Sequence, residues 1–391
     1  MILLENEIAA TPVNFQRAES GLLEQTQGQI ALWSGRAATA LYHAYCVAML
    51  RRPEVTQPEV IVPAMMCATA ANTALLTGLQ PRFADVGADS GLISLETVQA
   101  RFNENTVAVV VIHLLGHMVD IDPIAAWCKA KNLLLIEDPT QALGAHYLDG
   151  RYAGSVGDIA IFSFNRPKII EVGNGVLTAN TFESKEQLQQ VLREPVPFPN
   201  VDDNTRLELA LSYRNLHHAL VGLFRLREIP YEQVAAAFRA VREAYEPLYL
   251  RPANPTIDLN AAWDALPESL AHRLELANIY AERLQSGAWK LLTGFQQSGV
   301  CWRFSLLLDK PEQQVAFSEA VRHDGFHVSN LYWSANQFFN PADECPNADS
   351  FGRRVVNLWV DSSVDSEYVE RCCASLLKHA ALRLSSFASS R

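Results

Sequence analysis

Residues 133 to 145 read LLLIEDPTQALGA, and this stretch gives the clearest indication of the fold. Its first four residues are apolar without polar alternation, which predicts a strand, Leu133–Asp138, buried on both faces. The strand ends on two acids, Glu137 and Asp138. A carboxylate at the end of a buried strand is costly unless it meets a cation or strong donors, so Asp138 is a candidate ligand-binding acid. A helix cap at Asp138 is the alternative.

Short apolar runs alternate with helical patterns around this strand, over residues 34 to 180. The other predicted strands are Val60–Ala64, Arg82–Val86, Val107–Leu114, Ile159–Phe164 and Gly175–Ala179. The predicted helices are Ala37–Leu50, Cys67–Thr77, Leu95–Phe102 and Pro123–Lys131. Strands that alternate with helices are typical of an α/β fold, with a mostly parallel central sheet flanked by helices.

Beyond residue 180 the pattern changes to mostly helical segments, and from residue 258 on it predicts a smaller C-terminal α+β domain. Its predicted helices are Leu259–Leu284, in which Pro267 starts a new helix or makes a kink, and Ser366–Arg383. Its predicted strands are Val300–Leu308, Phe326–Ser329 and Val355–Leu358. Because Pro252 and Pro255 mark the change, we predict a large domain of residues 1–257 and a small domain of residues 258–391.

The composition argues against several classes of partner. Of the 391 residues 49% are hydrophobic, and the net charge is -11, so the chain repels phosphate backbones and no nucleic-acid partner is expected. Neither a signal peptide nor an apolar run of membrane-spanning length is recognisable. The seven cysteines are scattered without CxxC spacing, which argues against a disulfide framework and a metal site. We therefore expect a cytoplasmic protein with no metal, membrane or nucleic-acid partner.

Two further segments carry reactive groups. Ser34, Gly35 and Arg36 precede a helix whose N-terminus would suit a phosphate, although a serine cap beside a solvated arginine gives the same pattern. Lys168 follows a predicted strand and has apolar neighbours, which lower the pKa of an amine and favour a nucleophile. A surface lysine whose stem packs on those neighbours is the alternative.

In this order the segments resemble the DegT/StrS-type sugar aminotransferases, which are pyridoxal phosphate (PLP) enzymes of the aspartate-aminotransferase fold, fold type I. IEDPTQALGA (136–145) is similar to the family's EDxxQxxGA, and FSFNRPK (162–168) is similar to its SFxxxK. HLLGHMVDID (113–122) resembles the segment that begins HLYG in the family. The resemblance covers residues 30 to 180 and returns more weakly in the C-terminal part.

The resemblance implies a role for each matching position near the cofactor ring. Lys168 would attach PLP covalently and then move a proton between two carbons of the substrate. Asp138 would pair with the pyridine nitrogen, and Gln141 would lie beside the ring and its 3′-oxygen. Cys67 stands where the family usually has an aromatic residue stacked on the ring, and Leu115 stands where the family has the tyrosine of HLYG.

The resemblance also implies the phosphate site and the reaction. Ser163, with the turn at Gly35 and Arg36, would hold the phosphate. The enzyme would be a homodimer that transfers an amino group, with glutamate as the expected donor, to a keto group of a nucleotide-linked sugar or related carbohydrate. The cofactor would alternate between PLP and pyridoxamine phosphate (PMP), in a pathway such as polysaccharide biosynthesis. Two alternatives stay open: another PLP reaction such as sugar dehydration, and a non-catalytic relative that binds PLP or a sugar.

Overall fold

Two sheets organise the chain, whose computed structural model describes residues 11–198, 202–226, 231–245, 248 and 250–388. The strands of the large sheet are β1 (Ile30–Ser34), β2 (Glu59–Pro63), β3 (Gln80–Ala84), β4 (Thr106–Ile112), β5 (Leu134–Asp138), β6 (Ile159–Ser163) and β7 (Gly175–Ala179). Their spatial order is β1-β7-β6-β5-β4-β2-β3, and β7 runs in the opposite direction to the other six strands. The expected mostly parallel α/β sheet is therefore confirmed.

Helices connect the strands of this sheet and flank it. They are α1 (Gln16–Thr26), α2 (Ala37–Arg51), α3 (Thr69–Leu76), α4 (Leu95–Gln99), α5 (Asp122–Ala130) and α6 (Phe182–Val191). Four more helices follow, α7 (Asp203–Leu226), α8 (Tyr231–Tyr245), α9 (Leu259–Asp264) and α10 (Leu266–Arg283). Pro267 lies in the first turn of α10, where its missing N–H breaks no helical hydrogen bond. The prediction that Pro267 starts a new helix is confirmed.

The second sheet is small and antiparallel. Its strands are β8 (Trp289–Leu292), β9 (Phe304–Leu308), β10 (Val328–Ser329) and β11 (Val355–Leu358), in the order β10-β11-β9-β8. The helices around it are α11 (Phe295–Ser298), α12 (Gln314–His323), α13 (Asn336–Phe339), α14 (Pro346–Gly352) and α15 (Ser366–Ala388). Among the described residues, no helix is long and apolar enough to cross a bilayer. The domain boundary at residue 257 stays a prediction.

The structure corrects several predicted element bounds. The prediction of a helix from Cys67 is wrong, because residues 67 to 70 form a turn in which the Cys67 carbonyl accepts from the Ala70 N–H, and α3 begins at Thr69. Strand β4 ends at Ile112 instead of Leu114, since a short 3-10 turn follows. Strands β1 and β8 are absent from the prediction. Residues 30 to 33 of β1 are all apolar and were a usable signal that the prediction missed, whereas Lys290 interrupts the apolar run of β8.

The central strands bring the candidate site residues to one edge of the large sheet. Every residue of β4, β5 and β6 is buried, which explains their nearly continuous apolar sequences. These three strands are parallel, so their carboxyl ends meet at the same edge. Asp138 ends β5 and Ser163 ends β6. Ligands bind at this edge in open α/β sheets, and the polar residues lie there.

A buried carboxylate anchors the loop behind β5. Glu137 has no exposed surface, and its oxygens accept hydrogen bonds from the N–H groups of Gly154, Val156 and Gly157. They also accept from the Tyr147 hydroxyl and lie 3.0 Å from Nε2 of a buried histidine, His113. Burial by itself raises the pKa of Glu137, but the histidine and the loop N–H groups outweigh burial and lower it. Glu137 is therefore ionised and fixes the loop to the sheet.

A glycine turn anchors the start of α2 to a distant segment. The N–H of Gly35 donates to the Arg251 carbonyl at 2.9 Å, and Thr39 exchanges two hydrogen bonds with the Arg251 backbone. A Cβ at position 35 would overlap the Pro252 carbonyl oxygen, so the close approach requires glycine. These contacts hold the N-terminus of α2 in place at the sheet edge.

We expect Glu137→Gln to lower the free energy of unfolding by about 3 kcal/mol at neutral pH, because an amide cannot accept all the hydrogen bonds of the carboxylate. The pKa of Glu137 is lower in the folded state than in the unfolded state. Its stabilisation is therefore present above the unfolded pKa and is lost as pH falls through the folded pKa. Urea unfolding from neutral to acidic pH measures both effects. The exposed control Glu186→Gln should behave as wild type, and equal stability of Glu137→Gln and wild type would contradict the prediction.

We expect Gly35→Ala to lower the free energy of unfolding by about 1–3 kcal/mol, because the added methyl must displace the backbone at Pro252. The matched control is Gly222→Ala in α7, where no heavy atom lies within 4 Å of the added Cβ. That substitution should be neutral or stabilise by up to about 1 kcal/mol, since alanine favours helices. Urea denaturation of both variants tests the contrast, and two equal effects would show that the turn tolerates a side chain.

Candidate active site

A cavity of about 690 Å³ lies at the carboxyl ends of β5 and β6. Six of the seven predicted site residues line it, namely Arg36, Cys67, Asp138, Gln141, Ser163 and Lys168. The seventh, Gly35, is not among the lining residues, but its carbonyl accepts from Asn165 Nδ2 at 3.4 Å, and Asn165 lines the cavity. The fold thus brings together segments that are more than 100 residues apart in the sequence.

The Lys168 side chain is partly buried and lines the cavity. Its Nζ donates to Thr140 Oγ1 at 3.1 Å and lies 5.9 Å from the centre of the Trp302 ring. Burial lowers the pKa of Lys168, and the nearby Asp138 and Cys67 act in the opposite direction. Because the net pKa is lowered, a larger fraction of the amine is neutral and nucleophilic than in a solvated lysine.

The Asp138 carboxylate faces the same cavity. It is 7% exposed, and its Oδ1 accepts from the Thr140 N–H at 2.9 Å. Among the described residues, no donor is bonded to Oδ2. A buried carboxylate with one oxygen open to a cavity is suited to a cationic N–H group of a ligand.

Gln141 is held in one orientation. Its Oε1 accepts from the Leu115 N–H at 2.8 Å, and its Nε2 donates to the Tyr332 hydroxyl at 2.9 Å. A backbone N–H can only donate, so the contact at Leu115 identifies which end of the amide is oxygen. Burial raises the pKa of Tyr332, so its hydroxyl stays protonated. One Nε2 hydrogen of Gln141 remains available for a ligand in the cavity.

The part of the cavity beside the N-terminus of α2 is suited to an anion. Arg36 lines the cavity and precedes the 15-residue helix α2. The first two residues of α2, Ala37 and Ala38, also line the cavity. Unpaired N–H groups and the positive end of the helix dipole attract negative charge there. Ser163 adds a hydroxyl, whose oxygen accepts from the Asn165 N–H at 3.5 Å.

Several lining residues escape the sequence analysis. Thr140 lies inside the EDPTQ string, so its position beside the recognised acid was a usable signal. Trp302 and Tyr332 come from the C-terminal part of the chain, and no local pattern connects them to the site. Leu211 and Phe238, on α7 and α8, also line the cavity. Cys67 is exposed, and its Sγ lies 3.4 Å from Thr69 Oγ1. In the part of the chain that the structure describes, no His, Cys, Asp and Glu cluster could hold a metal ion.

Two curated relatives are similar to part of the chain. GDP-perosamine synthase of Escherichia coli O157:H7 is 32% identical over 160 residues, which are 41% of this chain and 43% of that protein. UDP-4-amino-4,6-dideoxy-N-acetyl-beta-L-altrosamine transaminase of Campylobacter jejuni is 28% identical over 215 residues, 54% of this chain and 55% of that protein. The chain thus spans about half the length of the curated relatives that it matches.

Two solved structures have a similar fold. DesI in the presence of its TDP-sugar product has a TM-score of 0.70 at 19% identity, covering 97% of this chain and 88% of that chain. The PMP form of the sugar aminotransferase Spr1654 from Streptococcus pneumoniae has a TM-score of 0.70 at 16% identity, covering 95% and 92%. Residues 16–230, over half of this chain, match the DegT/DnrJ/EryC1/StrS aminotransferase family. The sequence resemblance is therefore confirmed, and the chain belongs to the DegT/DnrJ/EryC1/StrS aminotransferase family.

Proposed function

We propose that this chain is a PLP-dependent aminotransferase that carries an amino group from glutamate to a keto group of a nucleotide-linked sugar or related carbohydrate. The observation that carries the proposal is that the Lys168 amine and the Asp138 carboxylate line one cavity, where Thr140 contacts both. The match to an aminotransferase family over residues 16–230 supports the same reaction class.

The cavity offers a partner for each functional group of PLP. The open Oδ2 of Asp138 fits the pyridine N–H, and the Lys168 amine, whose pKa is lowered by burial, fits the aldehyde. The N-terminus of α2, with Arg36 and Ser163, fits the phosphate. When bound, PLP would supply an electron sink for the carbon that exchanges its proton.

The residues of this chain would bind, orient and move protons. Asp138 would keep the pyridine nitrogen protonated, since a buried carboxylate favours a neighbouring cation. Gln141, fixed by Leu115 and Tyr332, would hold the ring at its 3′-oxygen. The Lys168 amine, when free, would carry a proton between the two substrate carbons. The Trp302 ring would shield that amine from water.

The acceptor, the oligomeric state and the location belong to the same proposal. The names of the curated relatives support a nucleotide-linked acceptor, and about 690 Å³ is large enough for a small-molecule site. We propose a homodimer, because Leu209, Leu216 and Leu223 are exposed at seven-residue intervals on α7. A cytoplasmic location is supported by seven cysteines that are all free in the structure.

We expect the wild type to develop a visible absorption band when PLP is added, and glutamate to convert that band to the PMP spectrum. Lys168→Ala should lack the band, because it has no amine to attach the aldehyde, and its turnover should fall by roughly 10²–10⁴-fold. The matched control is Lys129→Ala, which removes an exposed lysine and should leave both spectra unchanged.

Each other outcome of this experiment decides against part of the proposal. A wild type that forms no band would contradict PLP catalysis and favour a non-catalytic relative. A band that ignores glutamate but responds to another amino acid would exclude glutamate as the donor. If a keto-sugar is consumed and no amino sugar appears, the reaction is a dehydration or another PLP reaction.

A further inference from the structure

Thr140 contacts both charged groups of the site. Its N–H donates to Asp138 Oδ1 at 2.9 Å, and its Oγ1 accepts from Lys168 Nζ at 3.1 Å. The residue is buried and lines the cavity. In the motif EDxxQxxGA it occupies an unspecified position, so the motif gives it no role.

We propose that Thr140 is a positioning residue, whose hydroxyl holds the Lys168 amine in place within the cavity whenever that amine is not bonded to the cofactor. The holding contact is a property of the protein alone. Its use during turnover rests on the proposed function.

The threonine is itself rigidly placed, which a positioning role requires. Its N–H is fixed to the Asp138 carboxylate, and the Pro139 carbonyl accepts from the Ala142 N–H at 2.8 Å, so residues 139 to 142 form a closed turn. Proline restricts φ, and a β-branched side chain has few χ1 rotamers. The hydroxyl therefore presents its oxygen to the amine from a fixed place.

The amine needs such an acceptor. An ammonium group has three donors and no acceptor, and leaving it without partners in a desolvated site costs free energy. The groups that act on the charge of Lys168 are Asp138 and Cys67, both of which favour the ammonium form, and the Trp302 ring lies 5.9 Å away. A hydrogen bond from the ammonium to Thr140 favours the charged form further.

Holding the amine also limits its motion. A lysine side chain has about 2 kcal/mol of rotamer entropy, so a free amine would spend much of its time away from the reacting carbons. One hydrogen bond to the buried Thr140 hydroxyl keeps Nζ beside a residue that also contacts Asp138, the expected partner of the cofactor. The amine that must carry a proton is then already in position.

The first test needs no cofactor. In cofactor-free protein, an amine-directed reagent such as trinitrobenzenesulfonate labels Lys168, and mass spectrometry measures the labelling rate as a function of pH. Thr140→Val keeps the shape of the side chain and removes the acceptor, so the pKa of Lys168 should fall and labelling below that pKa should become about tenfold faster. Thr140→Ser keeps the hydroxyl and should retain the wild-type profile. Labelling of the exposed Lys129 serves as the internal control.

The serine and valine variants separate positioning from packing. If Thr140 only filled space, valine would match wild type and serine would deviate, and that result would overturn the proposal. An unchanged pH profile in Thr140→Val would also overturn it. Because PLP is absent, these outcomes are independent of the proposed function, which fails separately if wild type forms no visible band.

The second test uses the PLP-loaded enzyme. Thr140→Val should lower kcat about tenfold while KM for glutamate stays within about twofold, because the substitution affects the proton carrier and leaves the substrate contacts. Deuterium at the α-carbon of glutamate should slow the variant more than wild type, since proton transfer becomes more rate-limiting. Thr140→Ser should recover kcat. An unchanged kcat together with a shifted labelling profile would overturn the use of this contact during turnover.

Discussion

The arrangement on which the site depends is the placing of the Asp138 carboxylate and the Lys168 amine in one cavity, with Thr140 bonded to both. Each group alone would be costly in a desolvated cavity, and each lowers the cost of the other. The effect of burial on the pKa of Lys168 is larger than the effect of the nearby carboxylate, so the pKa stays below its usual value. The lowered pKa lets the amine act as a nucleophile, because an ammonium group that was fully stabilised would hold its proton too firmly.

The large sheet supplies the geometry for this pair. Strand β5 is buried throughout and ends in Asp138. The adjacent Glu137 faces the other side of the sheet, where the N–H groups of Gly154 and Gly157 donate to its carboxylate. These hydrogen bonds fix the end of the strand. The antiparallel strand β7 then brings Gly175 against the N-terminus of α2. The positions of Asp138 and of the N-terminus of α2 are therefore set by backbone packing that extends well beyond the cavity.

The sequence predicts the parts of this arrangement that depend on local pattern. Apolar runs identify six of the seven strands of the large sheet, β2 to β7, and a carboxylate at a strand end identifies Asp138. Strand β1 is missed, although its residues 30 to 33 are apolar. The sequence cannot predict that Tyr332 reaches Gln141, since that contact joins positions 191 residues apart and depends on how the C-terminal part packs. Contacts of this kind follow from tertiary packing, which periodicity and motifs do not encode.

Contacts from the backbone and from a distant segment also explain how this chain can depart from the family motif at position 115. Leucine at position 115 removes the tyrosine side chain of the family motif, yet Gln141 still receives a donor, because the donor is the backbone N–H of Leu115. A phenol hydroxyl contacts Gln141 as well, and it belongs to Tyr332. The amide is thus oriented by two contacts, and one of them does not depend on which side chain occupies position 115. A site whose orientation depends on backbone groups and on residues from distant segments can change its motif residues while the amide keeps its place.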